Sequence, residues 1–219
     1  MAYELEFISQ NDFEKHVANT IKSYSKSLLS INLEKFNRNI IDPIKMLFDK
    51  NIFQYIANCE VPKTGWDVIY TDSRTKKKIY VELKNKHNTM NSGSAQKIYI
   101  QMQNQIMKTP ANTCFLVEAI APKSRNISWG CSINGLHVED ERIRRVSIDK
   151  FYEIVTGISN AFYQVCMQLS ETIEKLVQEN QNLTAQNDTV FSELRQLSPE
   201  IQTALFKLAF QTYEGFQKI

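Results

Sequence analysis

The segment at residues 65–86, GWDVIYTDSRTKKKIYVELKNK, places charged side chains within a pattern typical of buried strands. Two apolar runs, WDVIYTD and KIYVELK, flank the polar stretch SRTKK, and this order predicts a β-hairpin. Residues two apart on a strand point to the same face, so Glu82 and Lys84 leave one side of the sheet together. The segment therefore predicts an acid and an ammonium group side by side on a sheet face.

Asp67 stands at the start of the first strand of this hairpin. Neighbouring strands lie ~4.8 Å apart, so its carboxylate and that of Glu82 can converge on one cation. Converging carboxylates suit Mg²⁺, which takes one or two protein carboxylates together with water and phosphate oxygens. With Lys84 as a fixed positive charge, the set suits hydrolysis of a phosphodiester. The alternative is a surface hairpin with a cross-strand ion pair.

Helical patterns come before the hairpin. Ser9 with Asp12 resembles a capping box, and apolar residues recur after it at helical spacing. A second helical stretch covers residues 32–56, and Asp42-Pro43 within it starts a new helix or kinks the first one.

The chain after the hairpin alternates between helix and strand patterns. SGSAQKIYIQMQNQIMK predicts a helix that ends before Pro110, and TCFLVEAIA predicts a strand covered on both faces. Residues 122–143 indicate loops with one or two short strands, RRVSID a further strand, and FYEIVTG a helix capped by Asp149. The order strand, strand, helix, strand predicts an α/β fold with a mixed central sheet flanked by helices.

Apolar residues repeat as heptads over residues 169–197, with Asn180 and Asn187 at the same seam position. Ser198-Pro199 then ends that helix and precedes a final one. The pattern allows a dimerising coiled coil or a helical hairpin packed on the domain.

Composition limits the classes that remain. The 219 residues suit one domain, or one domain with a helical appendage, and a net charge of +2 provides no global field that would gather a polyanion. Nucleic-acid binding must therefore rest on local basic clusters. The four cysteines lack metal-like spacing and indicate buried thiols. No apolar run reaches ~18 residues and the start lacks a signal-peptide pattern, which predicts a cytoplasmic protein.

The order of these elements resembles the PD-(D/E)XK nuclease core. The segments NRNIIDPIKMLFD, VPKTGWDVIY, YVELKNKHNTMNS and SIDKFYEIVTG resemble a family of type II restriction endonucleases that cut short GGNCC or GGWCC palindromes. The resemblance implies a catalytic domain at residues 1–160 and an α-helical C-terminal extension at residues 161–219, which is a candidate dimerisation element.

The resemblance also assigns roles to single residues. Asp67 and Glu82 match the motif acids and Lys84 the motif lysine, which makes all three catalytic; the two acids and the carbonyl of Leu83 would hold Mg²⁺. Trp66 stands where the family has proline, which removes shape but no ligand.

Many relatives add an acid from the preceding helix. Asp42 and Glu34 compete for that place, and Asp42 is equally suited to cap the helix at Pro43.

DNA recognition requires donors beyond the catalytic set. Arg and Lys read guanine in the major groove, and Arg125, beside Lys123 and Asn126 in the loop after the buried strand, is the first candidate reader. Arg144 and Arg145 are candidates for phosphate contacts, which position the duplex without reading its sequence.

The loop NKHNTMNSGSAQK offers a second set of contacts. Lys86 repeats the face of Lys84 and is placed to touch phosphate, while Asn88 is a candidate for base contact. Ordinary turn and capping chemistry is the alternative for this loop, and His87 fits a polar loop residue better than a base.

The sequence therefore predicts a type II site-specific endonuclease that hydrolyses double-stranded DNA with Mg²⁺. A palindrome is most simply cut by a twofold-symmetric homodimer, and a host carrying such an enzyme needs a cognate DNA methyltransferase. A repair or junction-resolving nuclease with the same core, and a non-catalytic DNA-binding scaffold with a coiled-coil tail, are the alternatives.

Overall fold

A computed structural model describes residues 5–28, 50–86, 90–179, 210 and 213. The chain divides into two compact units, one formed by residues 53–159 and the other by residues 1–52 with 160–219. Within the described part, no helix is long and apolar enough to cross a membrane.

The unit at residues 53–159 is built on a mixed six-stranded sheet, which confirms the predicted α/β class. The strand order is β1-β2-β3-β4-β6-β5; β3–β4 and β4–β6 are parallel and the other pairs antiparallel. The strands are β1 (Cys59–Glu60), β2 (Val68–Thr71), β3 (Lys78–Lys86), β4 (Thr113–Ile120), β5 (Asn126–Ile133) and β6 (Leu136–Ser147).

The predicted hairpin is confirmed as β2 and β3, which pair from Val68 with Val81 to Thr71 with Lys78. Asp72 builds the turn, because its Oδ1 accepts hydrogen bonds from the backbone N–H groups of Arg74 at 2.8 Å and Thr75 at 2.7 Å. Such Asx turns explain why a polar stretch rather than a glycine pair joins the strands.

The predicted crossover helix is confirmed as α2 (Ser92–Lys108) between the parallel strands β3 and β4. Asn91 caps it by accepting a 2.8 Å hydrogen bond from the Ser94 N–H. Tyr99, Met102 and Ile106 form its buried stripe. They share a hydrophobic cluster with Cys114 and Leu116 of β4, Trp129 and Cys131 of β5, and Ile143 of β6.

Strand β4 is buried along almost its whole length, as its apolar run predicted. The prediction of loops with short strands for residues 122–143 was wrong in extent, because β5 and β6 form a long hairpin there. Its turn is Asn134-Gly135, both with positive φ, the geometry typical of a tight hairpin turn. Much of this hairpin is exposed, so its polar composition resembled that of loops.

Helix α3 (Ile148–Thr156) packs against β4 and β6 and ends at Gly157, which adopts a left-handed conformation. Its N-cap is Ser147 rather than the predicted Asp149. Asp149 lies within the first turn, where its Oδ2 accepts a 2.6 Å hydrogen bond from the Ser124 hydroxyl. The cap differs from the predicted one because β6 ends at Ser147 and the helix begins at the next residue.

In the other unit, the predicted first helix is α1 (Gln10–Leu28), and the Ser9 Oγ accepts from the Asp12 N–H at 3.2 Å as the capping pattern indicated. Helix α4 (Ala161–Glu179) contacts α1, and Phe162 packs edge to face on Phe210 at 5.0 Å between centroids.

Several predictions concern residues outside the described part. These include Asp42, Glu34 and most of the second helical stretch, and also Asn180, Asn187 and most of the heptad region. Residues 50–55 of that stretch form a short 3-10 helix. The division into a catalytic domain at residues 1–160 and a helical extension at residues 161–219 assigns functions, which the fold does not test. It stays a prediction.

The four cysteines are free, and burial raises the pKa of Cys114 to about 12. Because only the thiolate reacts readily with alkylating reagents, we expect iodoacetamide at mildly alkaline pH to spare Cys114 in the folded protein and modify it in urea. Peptide mass spectrometry measures both states. Equal labelling of Cys114 with and without urea would contradict its place in the core.

Candidate active site

Strand pairing brings the predicted acids together. The β2–β3 register sets Val68 opposite Val81, and one further step along the ladder sets Asp67 opposite Glu82. The Asp67 N–H donates to the Val81 carbonyl at 3.0 Å, which extends the ladder to this position. Directly opposed residues of an antiparallel pair share a sheet face, so the two carboxyl groups lie on the same side.

The Asp67 carboxylate is held by the neighbouring strand. Its Oδ2 accepts a 2.9 Å hydrogen bond from the Leu83 N–H, which belongs to the residue between Glu82 and Lys84. This bond fixes the Asp67 side chain against the backbone of β3, between Glu82 and Lys84.

The predicted acid and ammonium are indeed neighbours. The Lys84 Nζ lies 2.7 Å from the Glu82 Oε1, and their side chains are 27% and 18% exposed. Both groups are therefore half-buried and still reachable from solvent, as a site for a substrate requires. Before them in the chain, Trp66 packs on Tyr80 with ring centroids 5.6 Å apart and supports the hairpin from the core side.

The donor set suits Mg²⁺, because two carboxylates share a sheet face that solvent reaches and both present hard oxygen atoms. Among the described residues, no group of three or more His, Cys, Asp or Glu side chains is arranged to hold a metal ion. The site therefore offers two acids, and the third candidate, Asp42, lies outside the described residues.

A further carboxylate lies on the same face and was missed by the sequence reasoning. Glu118 of β4 is fully buried and forms ion pairs with Arg125 and Arg145. Its Oε1 accepts from the Arg145 Nε at 3.1 Å as well as from Nη2, while its Oε2 accepts from the Arg125 Nη2. The sequence does contain a signal for it, which is the single charge inside the apolar run TCFLVEAIA. Charged side chains are seldom fully buried without partners, so this charge indicated a buried ion pair.

The predicted DNA-binding residues divide between the two faces of the sheet. Arg145 pairs with Leu116, whose face also carries Glu82, whereas Arg144 pairs with Phe115 on the opposite face. The Arg144 guanidinium bonds to Asn126, through Nε to Oδ1 at 2.6 Å and through Nη2 to the carbonyl at 2.8 Å. The structure therefore joins Arg144 to Asn126 and separates both from the acids.

The remaining candidates are placed in part. Lys123 is exposed in the loop before β5. Lys86 ends β3, but its side chain, like all of Asn88 and His87, lies outside the described part.

Comparisons with known proteins give a consistent result. A family model described as Eco47II restriction endonuclease matches residues 5–54 and 48–178. The chain is also 24% identical to the type II restriction enzyme Sau96I of Staphylococcus aureus over 230 aligned positions, which cover 88% of each protein.

The hydrogen bond between Asp67 and Leu83 predicts a stability effect that is independent of activity. Asp67→Ala leaves the Leu83 N–H without its acceptor and should lower the free energy of unfolding by about 1 kcal/mol. Asp67→Asn retains an acceptor oxygen and should lose less. Urea denaturation measures both variants, and equal losses for Ala and Asn would contradict a structural role for this bond.

Proposed function

We propose a Mg²⁺-dependent mechanism of DNA hydrolysis for this chain, which belongs to the Eco47II restriction endonuclease family and is a type II restriction endonuclease. The observation that carries the proposal is the convergence of Asp67, Glu82 and Lys84 on one face of the β2–β3 hairpin. Its substrate is double-stranded DNA, as the family implies.

The proposed core is of the PD-(D/E)XK type. Its support is the topology, in which an antiparallel hairpin is followed by a crossover helix and a parallel strand. The three residues lie on the hairpin, and β4 continues the sheet beside them. Trp66 in place of the family's proline packs on Tyr80, so it supplies shape at a position that needs no ligand.

In the proposed reaction, Asp67, Glu82 and the Leu83 carbonyl would hold the ion. When bound, Mg²⁺ lowers the pKa of a water molecule and neutralises charge that develops on the phosphate oxygens. The Leu83 N–H holds the Asp67 carboxylate in place. In the free enzyme the Lys84 ammonium donates to the Glu82 carboxylate. When DNA is present, it donates to the attacking water or a phosphate oxygen.

Contacts to DNA are proposed for the basic and amide side chains named from the sequence. They are Arg125, Asn126, Lys123, Lys86, Asn88, Arg144 and Arg145. The proposed target is a short palindrome of the GGNCC or GGWCC type. Lys123 and Asn126 are exposed, and Asn126 lies with Arg144 on the sheet face opposite the acids, so Asn126 and Arg144 would contact DNA away from the cleavage site.

A palindrome is cut in both strands most simply by a homodimer with one active site for each half-site. We include this assembly in the proposal, with the C-terminal heptads as its candidate interface. The proposal also requires a cognate methyltransferase that masks host sites and a cytoplasmic location, where incoming and host DNA are both present.

The two alternatives are less well supported. A repair or junction-resolving nuclease would use the same acids, but the family matched over residues 5–178 is one of restriction endonucleases. A non-catalytic scaffold would have no need for a half-buried Glu82–Lys84 pair beside a fixed Asp67.

The catalytic assignment predicts separate losses of cleavage and binding. Asp67→Ala, Glu82→Ala and Lys84→Ala should each lower the rate of DNA cleavage at least about 10²- to 10³-fold, because each removes charge that acts in the transition state. DNA binding measured without Mg²⁺ should be largely retained. Lys78→Ala is the matched control, since Lys78 lies at the other end of β3 and is exposed. Undiminished cleavage by any of the three variants would overturn its assignment.

The recognition proposal predicts a shared sequence at the ends of fragments. Purified protein incubated with unmethylated phage DNA and Mg²⁺ should produce discrete fragments whose sequenced ends contain a GGNCC-type site, and Asp67→Ala protein should produce none. Discrete fragments that share a different sequence would refute the site class while keeping the enzyme. Cutting of branched DNA alone would favour the junction-resolving alternative.

A further inference from the structure

We propose that Glu118 is a positioning residue that holds Arg125 and Arg145, the arginine pair, as a clamp for a backbone phosphate of the bound DNA. The proposal rests on the proposed function, because it takes the face with Glu82 and Lys84 as the one that meets DNA. It assigns a phosphate contact to Arg125, which the sequence suggested as a reader of guanine.

Glu118 and its two arginines carry unequal numbers of opposite charges. A buried carboxylate must be paired, and one guanidinium is sufficient to neutralise it. Glu118 is completely buried and binds two guanidinium groups, so these three side chains together carry one net positive charge. Arg125 and Arg145 are 16% and 24% exposed, which leaves the excess charge accessible at the surface. An anion is the chemical class of ligand that such a cluster attracts.

The cluster lies on the same sheet face as Glu82 and Lys84. Across β3 and β4, Glu82 pairs with Leu116 and Lys84 with Glu118, so these residues share one face. Leu116 pairs in turn with Arg145 of β6. Adjacent strands are ~4.8 Å apart, so Arg145 lies two strands, or about 10 Å, from Glu82 along the sheet. The cluster is therefore close enough to the proposed catalytic residues to contact the same DNA backbone.

Arg125 is held at both its backbone and its guanidinium group. The Ser147 hydroxyl accepts from the Arg125 N–H at 2.9 Å and donates to its carbonyl at 3.3 Å, and the Ser147 N–H donates to the same carbonyl at 2.9 Å. Arg125 is thus fixed at its backbone by Ser147 and at its tip by Glu118. A side chain so buried does not extend into a major groove ~8.5 Å deep, whereas a phosphate can approach it at the surface.

One donor of the pair is unsatisfied. The Nε of Arg125 is buried and has no hydrogen-bond partner among the described residues. Buried donors are almost always paired in folded proteins, so an unpaired one next to an excess positive charge is consistent with a site that a ligand completes.

The test measures how DNA affinity depends on salt, in EDTA so that cleavage does not interfere. The proteins are wild type, Arg125→Gln, Arg145→Gln, Glu118→Gln and the control Arg142→Gln. Arg142 lies on the same strand as Arg145, but its guanidinium is paired with Asp140 and the Pro110 carbonyl. The probes are two short duplexes, one with a GGNCC-type site and one without.

Loss of one phosphate contact lowers the slope of log affinity against log salt by about 0.9. We expect this decrease for Arg125→Gln and Arg145→Gln, with equal loss of affinity on both duplexes, and a slope close to wild type for Arg142→Gln. A guanine contact would instead reduce the preference for the duplex with the site. That result for Arg125→Gln would overturn the assignment of a phosphate contact.

Glu118→Gln provides the sharpest comparison, because simple charge and positioning predict opposite results. Removing a negative charge should strengthen DNA binding if only net charge matters. If Glu118 positions the arginine pair, binding should weaken and the salt slope should fall although the protein has become more positive. Stronger binding by Glu118→Gln, in a protein that unfolds cooperatively, would overturn the positioning role. If Glu118→Gln fails to fold, Glu118→Asp, which keeps the charge on a shorter side chain, takes its place: a positioning role predicts weaker binding and a lower salt slope, and unchanged values would overturn it.

The outcome is separable from that of the proposed function. Reduced slopes in the arginine variants, together with a wild-type protein that does not cut DNA in Mg²⁺, would keep the clamp and overturn the hydrolysis mechanism. Normal Mg²⁺-dependent cleavage with unchanged slopes in both arginine variants would keep the mechanism and overturn the clamp.

Discussion

The pairing register of β2 and β3 is the constraint on which the rest of the site depends. Because side chains alternate between the faces of a strand, a slip of one residue would carry Glu82 and Lys84 to the other side of the sheet. The Asp72 turn holds the register at one end of the hairpin, and the bonds of Asp67 to Val81 and Leu83 extend it at the other. Helix α2 then returns the chain so that β4 lies parallel to β3, with Glu118 level with Lys84.

A fully buried carboxylate imposes a second constraint. Glu118 has no access to water, so its charge is tolerable only while guanidinium groups surround it. The ion pairs therefore fix where Arg125 and Arg145 lie, while Arg144, one residue away on β6, bonds to Asn126 on the opposite face. Arginines that are adjacent in the chain thus have different surroundings, and the alternation of the strand is the reason.

The family of the chain and the geometry of its sheet concern different aspects of its function. The match to the Eco47II family identifies the chain as a type II restriction endonuclease. The positions of individual functional groups come from the geometry, since the identity to Sau96I is 24%. The geometry shows that Asp67, Glu82 and Lys84 lie on one half-buried face of the sheet, and it adds Glu118 and its arginines on the same face. The family match and the geometry together favour a hydrolytic, DNA-cutting role over a scaffold, since a non-catalytic binding surface has no need for buried charges of this kind.

The amino-acid sequence by itself determined the hairpin, the crossover helix with its end before Pro110, the buried strand β4 and the shared face of Glu82 and Lys84. These features depend on local periodicity and turn chemistry, which neighbouring residues encode. It did not reveal the length of the β5–β6 hairpin, the cap at Ser147, or the partners of Glu118. Those were decided by the tertiary structure, because whether a polar strand pairs, or a buried charge is neutralised, depends on residues that only the folded sheet brings together.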